Sequence, residues 1–309
     1  MLYLVCFVVT KFKIMQVSNR VIVVTGAGSG IGRELSLQLL KKNANVAGVD
    51  IHENALAETQ QIAGVGDDRF KSFVLDISDK IKVDALPELV IKHFGAVDGI
   101  INNAGIIQKF IHVNDLAIED INRVMNVNFY GTLYLTKAFL PHFLTRPEAH
   151  IVNISSMGGF IPFPGQTIYG AAKAGVKLLT EGLYAELKDT NVHVTVVHPG
   201  AIATNITENS GLGKPKVEAS AQQAKMALPA SRAAEIIIKD CPATPPSKPT
   251  ERLALAEKRL EAMQQAIKTV RPAFQAFYDA LDDKQKTMLE AAGPRRWGWR
   301  HWRWPWSEE

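Results

Sequence analysis

Residues 21–32 of this 309-residue chain read VIVVTGAGSGIG, a β-branched run followed at once by glycines at alternate positions. The run predicts a buried strand, and the residues after the glycines have helical spacing. A strand–glycine–helix unit lets backbone N–H groups approach a phosphate at the positive end of the helix. A tight turn alone would also use glycine, but the place between a strand and a helix favours phosphate binding.

The glycine spacing is G-x-x-x-G-x-G, formed by Gly26, Gly30 and Gly32, rather than the commoner G-x-G-x-x-G. Asp50 closes the next predicted strand, where a carboxylate can accept both hydroxyls of an adenosine ribose. The alternative is an N-cap for a helix beginning near Glu53, and both roles can hold at once. A 2′-phosphate would meet a like charge at Asp50, so the sequence favours NAD over NADP.

Short strands alternate with helical segments through the middle of the chain. The predicted strands are VIVVT (21–25), VAGVD (46–50), FKSFVLD (70–76), VDGIIN (97–102), HIVNIS (150–155) and VHVTVVHP (192–199). Such alternation implies right-handed crossovers and a parallel sheet with helices on both faces. The expected fold is therefore α/β, a Rossmann-type doubly wound sheet that binds ligands at the carboxyl ends of its strands, followed by a helical C-terminal tail.

Composition excludes several classes of protein. With 47% hydrophobic and 21% charged residues, the chain is neither disordered nor fibrous. We find no apolar run of about 18 residues that would span a membrane. The net charge of +4 is too small to indicate a nucleic-acid partner. Two cysteines, Cys6 and Cys241, form no disulfide or metal pattern, which favours a reducing, cytoplasmic location.

Four segments are expected along the chain. Residues 1–14 form an apolar extension, 15–240 a nucleotide-binding domain, 241–250 a proline-rich linker and 251–309 a helical tail. The extension lacks the basic start of an export signal, so a disordered or surface-docked segment, or a natural start at Met15, is favoured.

Two Tyr-x-x-x-Lys pairs place both side chains on one helix face. The pair Tyr169/Lys173 has Ser156 thirteen residues upstream at the end of a predicted strand, with Ser155 as its rival. The pair that begins at Tyr184 has no such serine. The family resemblance described next implies that the first pair carries the proton transfer, and we read Tyr184 as an ordinary residue of an amphipathic helix.

Residues 15–240 resemble the short-chain dehydrogenase/reductase family through TGAGSGIG, LDI, NNAG, NVNFYG, Tyr-x-x-x-Lys and Pro-Gly. The resemblance implies four catalytic residues: Asn128, Ser156, Tyr169 and Lys173. It also implies a cofactor site formed by Gly26, Ser29, Gly30, Ile31, Gly32, Asp50, Asp76, Ile77, Asn103, Ala104, Gly105, Tyr169, Lys173, Pro199, Gly200, Ile202 and Thr204.

The resemblance further assigns roles within this set. Asp76 contacts the adenine, Thr204 the nicotinamide carboxamide, and Asn128 carries a water of the proton relay. Hydride transfer leaves a proton to be moved on or off the substrate oxygen, and Tyr169 can move it if its pKa falls towards neutrality. A fall of three pKa units takes about 4 kcal/mol, and we expect the positive charges of Lys173 and the nicotinamide ring to supply it. The resemblance also implies that Ser156 hydrogen-bonds the substrate oxygen.

The substrate is expected to be a small apolar alcohol or ketone of aliphatic, acyl or steroid-like type. The apolar residues predicted to line and cover its pocket are 157–167 (MGGFIPFPGQT), Ile202, Ile206, Leu212 and Met226. The alternative is that these residues belong to the core.

The C-terminal 60 residues or so resemble LTxxQ-motif periplasmic stress-chaperone-like proteins, with Asp282 where the motif has threonine. A gene fusion or a spliced reading frame is the simplest account of that combination. The tip, residues 294–306 (PRRWGWRHWRWPW), has the composition of an interfacial or single-strand-stacking peptide, but a disordered tail is favoured over membrane or partner contact.

The sequence therefore predicts an NAD-dependent oxidoreductase acting on a CH–OH group. The alternative is a catalytically impaired nucleotide-binding or tail-directed interaction protein that arose by fusion. Because the sequence shows no counterpart of the family's final strand, we expect the edge of the sixth strand to be unpaired or covered only by the tail. A homo-oligomer is then expected to have a compromised family interface.

Overall fold

The computed structural model describes residues 5–7, 16–213, 227–239, 279 and 283. The chain divides into two compact units, Met1–Ala256 and Glu257–Glu309. All the strands in the described ranges belong to the first unit. In the second unit, the described residues Asp279 and Asp283 are helical and exposed. The predicted linker, the Trp/Arg-rich tip, Met226 and all of the predicted helical tail except Asp279 and Asp283 lie outside the described residues.

Six parallel strands form the centre of the fold, and a short antiparallel strand extends it to seven. The strands are β1 (Val5–Phe7), β2 (Val21–Thr25), β3 (Asn45–Asp50), β4 (Phe70–Val74), β5 (Gly99–Asn102), β6 (Ala149–Ile154) and β7 (Val192–His198). Their order is β1-β7-β6-β5-β2-β3-β4. The predicted doubly wound parallel sheet is confirmed, because the β-branched runs supply strands that are buried on both faces.

Helices connect the strands. They are α1 (Gly30–Lys41), α2 (Glu53–Ala63), α3 (Lys80–Phe94), α4 (Ile118–Met125), α5 (Thr132–Thr145), α6 (Thr167–Leu187), α7 (Ile206–Asn209) and α8 (Ala230–Lys239). A π-helical turn, Asn126–Gly131, joins α4 to α5, and 3₁₀ turns lie at Val113–Asp115 and Met157–Gly159. Two short strands, β8 (Ile202–Ala203) and β9 (Leu228–Pro229), pair outside the main sheet. No helix in the described ranges is long and apolar enough to cross a membrane.

The direction of winding reverses at β2. From β2 the chain moves outward to β3 and β4, then returns to β5 on the other side of β2 and continues to β6 and β7. Neighbouring connections therefore leave in opposite directions from the carboxyl ends of β2 and β5. Open α/β sheets bind their ligands in the crevice at such a reversal, so the topology itself places a site here.

A separate hydrophobic core covers each face of the sheet. One core includes Leu86 of α3, Phe139 of α5 and Leu183 of α6. The other includes Leu35 of α1 and Leu56 of α2, together with three residues of α8. Those three are Ala233, Ala234 and Ile237, with exposed fractions of 0%, 0% and 6%. Helix α8 is thus part of the Rossmann core, packed against α1.

The edge of β7 is paired, contrary to our expectation. Strand β1 runs antiparallel to it, with Val5 opposite His198 and Phe7 opposite Val196. The N-terminal segment therefore occupies the place at which an open edge was expected. The sequence-based expectation was wrong because a backbone edge can be satisfied by any extended segment, including one far away in sequence.

Candidate active site

A cavity of about 860 Å³ opens at the carboxyl ends of the parallel strands. Among the predicted residues, those that line it are Gly26, Ser29, Gly30, Ile31, Asp50, Asp76, Ile77, Asn103, Ala104, Gly105, Ser156, Tyr169, Lys173, Pro199, Gly200, Ile202 and Thr204. Two predicted residues, Gly32 and Asn128, do not line it. The fold thus brings together side chains from positions more than 170 residues apart.

The glycine loop forms one wall of the cavity. Gly26 and Gly30 have φ angles of +69° and +53°, which disfavour any residue with a Cβ. Gly32 does not line the cavity, and a Cβ at this position would lie 2.0 Å from the Gly26 carbonyl oxygen. Its role is therefore to let α1 approach the loop closely. Ser29 precedes α1 without capping it, so the first N–H groups of the helix are left for a ligand.

Asp50 joins the glycine loop to the start of α2. Its Oδ2 accepts a hydrogen bond from the Gly28 N–H at 2.9 Å, and its Oδ1 accepts one from the His52 N–H at 3.0 Å. Helix α2 begins at Glu53 with His52 in the N-cap position, so Asp50 braces the turn before the helix rather than capping it. Each carboxylate oxygen keeps acceptor capacity for a ligand in the cavity.

Arg33 is the cation nearest in sequence to the glycine loop, and it is held by other groups. Its guanidinium donates to the Gly28 carbonyl oxygen and pairs with Glu58. Its Nε donates to Thr59 Oγ1 at 3.0 Å. Arg33 does not line the cavity, so its charge serves to hold α2 to the loop.

Thr25, at the end of β2, fixes the NNAG segment. Its buried hydroxyl accepts hydrogen bonds from the N–H groups of Asn103 and Ala104 at 2.9 and 3.0 Å. The Asn103 side chain donates to the Thr25 carbonyl oxygen at 2.9 Å. Sequence reasoning did not single out Thr25 as a site residue, although it opens the TGAGSGIG stretch.

Asn128 lies in the π-helical turn and is fully buried. Its Oδ1 accepts from the Ile106 N–H at 2.9 Å, and its Nδ2 donates to the Ile106 carbonyl oxygen at 2.7 Å. A Cβ on Gly105 would lie 2.8 Å from Asn128 Oδ1 and 3.2 Å from Lys173 Nζ. Glycine at 105 therefore allows Asn128 and Lys173 to come close to the same stretch of backbone.

Ser156, Tyr169 and Lys173 meet where β6 faces α6. Ser156 Oγ accepts from the Gly158 N–H at 3.0 Å and is hydrogen-bonded to the Tyr169 side chain. Lys173 Nζ donates to the Ile154 carbonyl oxygen at 2.9 Å. Ser155, the rival serine, instead donates its hydroxyl to the backbone oxygen of Lys173. Of the two serines, Ser156 is the one whose hydroxyl contacts Tyr169.

Burial dominates the acid–base properties of this group. It raises the pKa of Tyr169, and the hydrogen bond from Ser156 offsets only part of that rise. Burial also lowers the pKa of Lys173 to about 8. The protein's own groups therefore leave the Tyr169 pKa raised, because desolvation disfavours the phenolate. The lowering that we expect from Lys173 together with the nicotinamide ring stays a prediction.

We expected the apolar segment at 157–167 to line the cavity, but none of its residues does so. Phe160, Ile161 and Phe163 are exposed at 42%, 49% and 61%. Ile202 and Ile206 do line the cavity, whereas Leu212 does not. Hydrophobicity alone could not distinguish pocket-lining residues from exposed ones, because the same apolar residue types occur in both places.

Helix α4 supplies a polar wall that sequence reasoning missed. Glu119, Asn122, Arg123 and Asn126 line the cavity. These residues are three or four positions apart and so lie on one helix face. That spacing is the feature of the sequence from which the polar wall could have been predicted. Arg123 also donates to the Ser210 carbonyl oxygen at 3.0 Å.

The segment around α7 links the two sides of the cavity. Asn209 Nδ2 donates to Ser29 Oγ of the glycine loop at 2.8 Å. Ser210 Oγ accepts from the Ile107 N–H at 2.9 Å, beyond the NNAG motif. Ile206 and Asn209 line the cavity between these two attachments.

The chain belongs to the short chain dehydrogenase family, whose model matches residues 20–215. It is accordingly an oxidoreductase by family. A second model, that of the LTXXQ motif family, matches residues 215–293. Both sequence-based resemblances are confirmed. The second begins well before residue 251, where we had placed the start of the tail.

Curated relatives carry the same family character. SadH of Mycobacterium tuberculosis, named as an oxidoreductase, is 43% identical over 194 residues, or 62% of this chain and 70% of the relative. An uncharacterized oxidoreductase of Staphylococcus epidermidis is 35% identical over 202 residues, or 65% of this chain and 86% of the relative.

Solved structures share the fold. A short chain dehydrogenase/reductase from Burkholderia phymatum in complex with NAD has a TM-score of 0.65 and 27% identity, covering 73% of this chain and 86% of its own. Levodione reductase has a TM-score of 0.66 and 26% identity, covering 72% and 92%.

Proposed function

We propose that this protein transfers a hydride between NAD and an apolar alcohol or ketone, with Tyr169 as the general acid and base. The observation that carries the proposal is the convergence of Ser156, Tyr169 and Lys173 in the cavity that also holds the glycine loop and Asp50. Family membership and the NAD complex of the Burkholderia relative support the same assignment.

The glycine loop fits a dinucleotide because, without side chains, its backbone can lie close to the NNAG segment and to a phosphate. A side chain on Gly26 would clash with the NNAG segment, at 2.9 Å from Asn103 Nδ2. The uncapped start of α1 offers N–H groups and a partial positive charge to the pyrophosphate. We assign the ribose hydroxyls of the adenosine to Asp50 and the adenine to Asp76, which also lines the cavity.

Asp50 and Arg33 together support NAD over NADP. A carboxylate at the ribose would repel a 2′-phosphate, and the arginine that follows the glycine loop is already paired with Glu58. A 2′-phosphate would therefore meet a negative charge without gaining a free cation from this loop.

The cofactor, when bound, supplies or accepts the hydride at its nicotinamide ring. Ser156 donates a hydrogen bond to the substrate oxygen, and Tyr169 takes or returns the proton at that oxygen. Lys173 lies one helical turn beyond Tyr169 and is 4% exposed. A positive charge on Lys173 stabilises the Tyr169 phenolate, which offsets part of the desolvation that opposes each charge alone.

The aliphatic part of the cavity wall, as distinct from the polar wall around α4, supports an apolar substrate. Ile106, Ile107, Ile202 and Ile206 all line it. Aliphatic walls around a small number of polar groups are typical of sites for apolar small molecules. The exposed segment at 157–167 contributes nothing to this wall.

The test is a turnover assay of the full chain with NAD or NADH and a panel of aliphatic, acyl and steroid-like alcohols and ketones. Absorbance of the reduced nicotinamide ring reports the reaction, and calorimetric titration reports NAD binding separately. Turnover that depends on Tyr169 supports the proposal. Tight NAD binding with no turnover across the panel would favour a catalytically impaired nucleotide-binding protein instead.

A further inference from the structure

Gln108 is a buried amide outside the cavity wall. It lies three residues after the NNAG motif and has an exposed fraction of 2%. Its Oε1 accepts hydrogen bonds from two consecutive backbone N–H groups, those of Ile168 at 2.9 Å and Tyr169 at 3.0 Å. One glutamine side chain is thus attached directly to the backbone of the proposed acid–base residue.

Those two N–H groups belong to the first turn of α6. The first N–H groups of a helix have no partner within the helix and need a cap. Gln166, at the N-cap position, makes no side-chain bond to the helix. It donates instead to the Gln108 carbonyl oxygen at 2.8 Å. Gln108 therefore performs the capping that the residue adjacent to the helix does not.

The stretch 106–108 connects three parts of the site. Ile106 is bonded through its backbone to Asn128, and the Ile107 N–H donates to Ser210. Gln108 adds the start of α6 to this set. The cap comes from the segment that continues the NNAG motif, so the position of Tyr169 is tied to the cofactor side of the cavity.

We propose that Gln108 is a positioning residue for the reaction, holding the first turn of α6 so that the Tyr169 phenol faces Ser156 and the substrate oxygen. The proposal rests on the proposed function. Gln108 acts through the backbone of Tyr169, since it does not line the cavity itself. Placement matters because a misplacement of about 1 Å can cost on the order of 10²-fold in rate.

Three variants separate positioning from general stability. Gln108→Met keeps the length of the side chain but removes the acceptor, and should lower kcat by about 10- to 100-fold. Its dissociation constant for NAD should stay within about threefold of wild type. Gln108→Glu keeps an acceptor oxygen, and its kcat should stay within about threefold of wild type. Gln166→Met removes a neighbouring buried amide but leaves both bonds to α6, so its kcat should change by less than about twofold.

A second measurement needs no turnover. In protein labelled with ¹³C at the tyrosine ζ carbon, the Tyr169 resonance is assigned by its loss in Tyr169→Phe. We expect this resonance to move in Gln108→Met and to stay in place in Gln166→Met. If wild type shows no turnover but the resonance moves as expected, the proposed function fails while the positioning of Tyr169 stands.

Two results would overturn the positioning role. The first is a Gln108→Met protein whose kcat and Tyr169 resonance both match wild type. The second is an equal loss of kcat and NAD affinity in Gln108→Met, which would indicate a general structural role. If Gln108→Met does not fold, Gln108→Glu decides: retained kcat supports the cap, and lost kcat with an unmoved Tyr169 resonance contradicts it.

Discussion

Lys173 is buried and Tyr169 is partly buried, and desolvation acts against the charge that the proposed reaction would place on each. The Tyr169 pKa is raised, and the Lys173 pKa is lowered to about 8. A tyrosine with a raised pKa is almost entirely protonated near neutral pH, so in the proposed reaction its deprotonation depends on a positive charge supplied nearby. Under the proposed function, proton transfer therefore needs both Tyr169 and Lys173.

Replacing Tyr169 by Phe should remove the proton-transfer group and little else. We expect kcat to fall by about 10²- to 10⁴-fold, with NAD binding retained. The matched control is Tyr184→Phe in the same helix. Tyr184 packs, half-buried, against the core, so this change should alter the free energy of unfolding by no more than about 0.5 kcal/mol and leave turnover intact. Equal losses of turnover would contradict the assignment of Tyr169.

Replacing Asp50 by Ala should change the choice of cofactor. Loss of the carboxylate removes the bond to the ribose and the repulsion of a 2′-phosphate, which should shift preference towards NADP by about 1–3 kcal/mol. Since Asp50 also accepts from Gly28 and His52, both cofactors should bind more weakly. The ratio of kcat/KM for NAD and NADP is therefore the measurement.

Asp79→Ala provides the control for Asp50. Asp79 is likewise a carboxylate that accepts a backbone N–H, that of Lys82, but it does not line the cavity. Its removal should leave the cofactor ratio unchanged. If Asp50→Ala also leaves the ratio unchanged, Asp50 only braces the turn.

Helix α6 is packed against its surroundings to different degrees along its length. Its first turn, which includes Tyr169, is capped from a distant segment, and Lys173 in the next turn donates to the Ile154 carbonyl oxygen of β6. Gly170 packs so closely that a Cβ would lie 2.9 Å from the Gly158 carbonyl oxygen. Gly182, near the other end, has no atom of the described residues within 4 Å of its Cβ position.

These two glycines should respond to alanine in opposite ways. Gly182→Ala should raise the free energy of unfolding by about 0.5–1 kcal/mol, because alanine loses less backbone freedom in a helix. Gly170→Ala should lower it, since backbone atoms of the 3₁₀ turn have to move. Chemical denaturation of both variants checks the contrast. A destabilised Gly182→Ala protein would show that this part of α6 is packed against something else.

The edge of the sheet at β7 is also paired by a segment that is distant in sequence. Deleting residues 1–14 removes β1 and should leave β7 open to pairing with another chain. We expect concentration-dependent association, measured by sedimentation velocity. Deletion of residues 1–3 keeps Val5–Phe7 and serves as the control. A longer deletion that behaves like the shorter one would mean that β1 does not protect the edge.

At the scale of the whole molecule, the family model for short chain dehydrogenases ends at residue 215, but the Rossmann core does not. Helix α8, at Ala230–Lys239, buries three apolar side chains against the core that includes α1 and α2. The segment matched by the LTXXQ family model, 215–293, therefore overlaps a helix that completes the nucleotide-binding unit. Sequence-family boundaries and structural boundaries differ at this junction.

Two truncations test where the nucleotide-binding unit ends. Truncation after residue 240 keeps α8 and should leave NAD affinity within about threefold, under about 0.7 kcal/mol. Truncation after residue 229 removes α8, exposes the apolar surface that it covers, and should abolish cooperative folding. Calorimetric titration and thermal unfolding measure the two effects. A large loss of affinity in the chain that ends at residue 240 would show that the C-terminal segment is integral to the fold.

Local sequence patterns were enough to predict the doubly wound sheet. Short β-branched runs separated by helical spacing leave few other folds, and each predicted strand lies within two residues of an observed one. These patterns also brought the glycine loop, Asp50 and Ser156 to one edge, since parallel strands present their carboxyl ends together. These features follow from local pattern and from the handedness of the connections.

Contacts between groups that are distant in sequence could be identified only from the packed structure. The cap of α6 by Gln108, the pairing of β7 by β1 and the packing of α8 on α1 join segments whose local patterns do not indicate one another. The same is true of the raised pKa of Tyr169, which follows from how deeply the phenol is buried. Such features depend on solvent exclusion and on unsatisfied backbone groups, which exist only once the chain has packed.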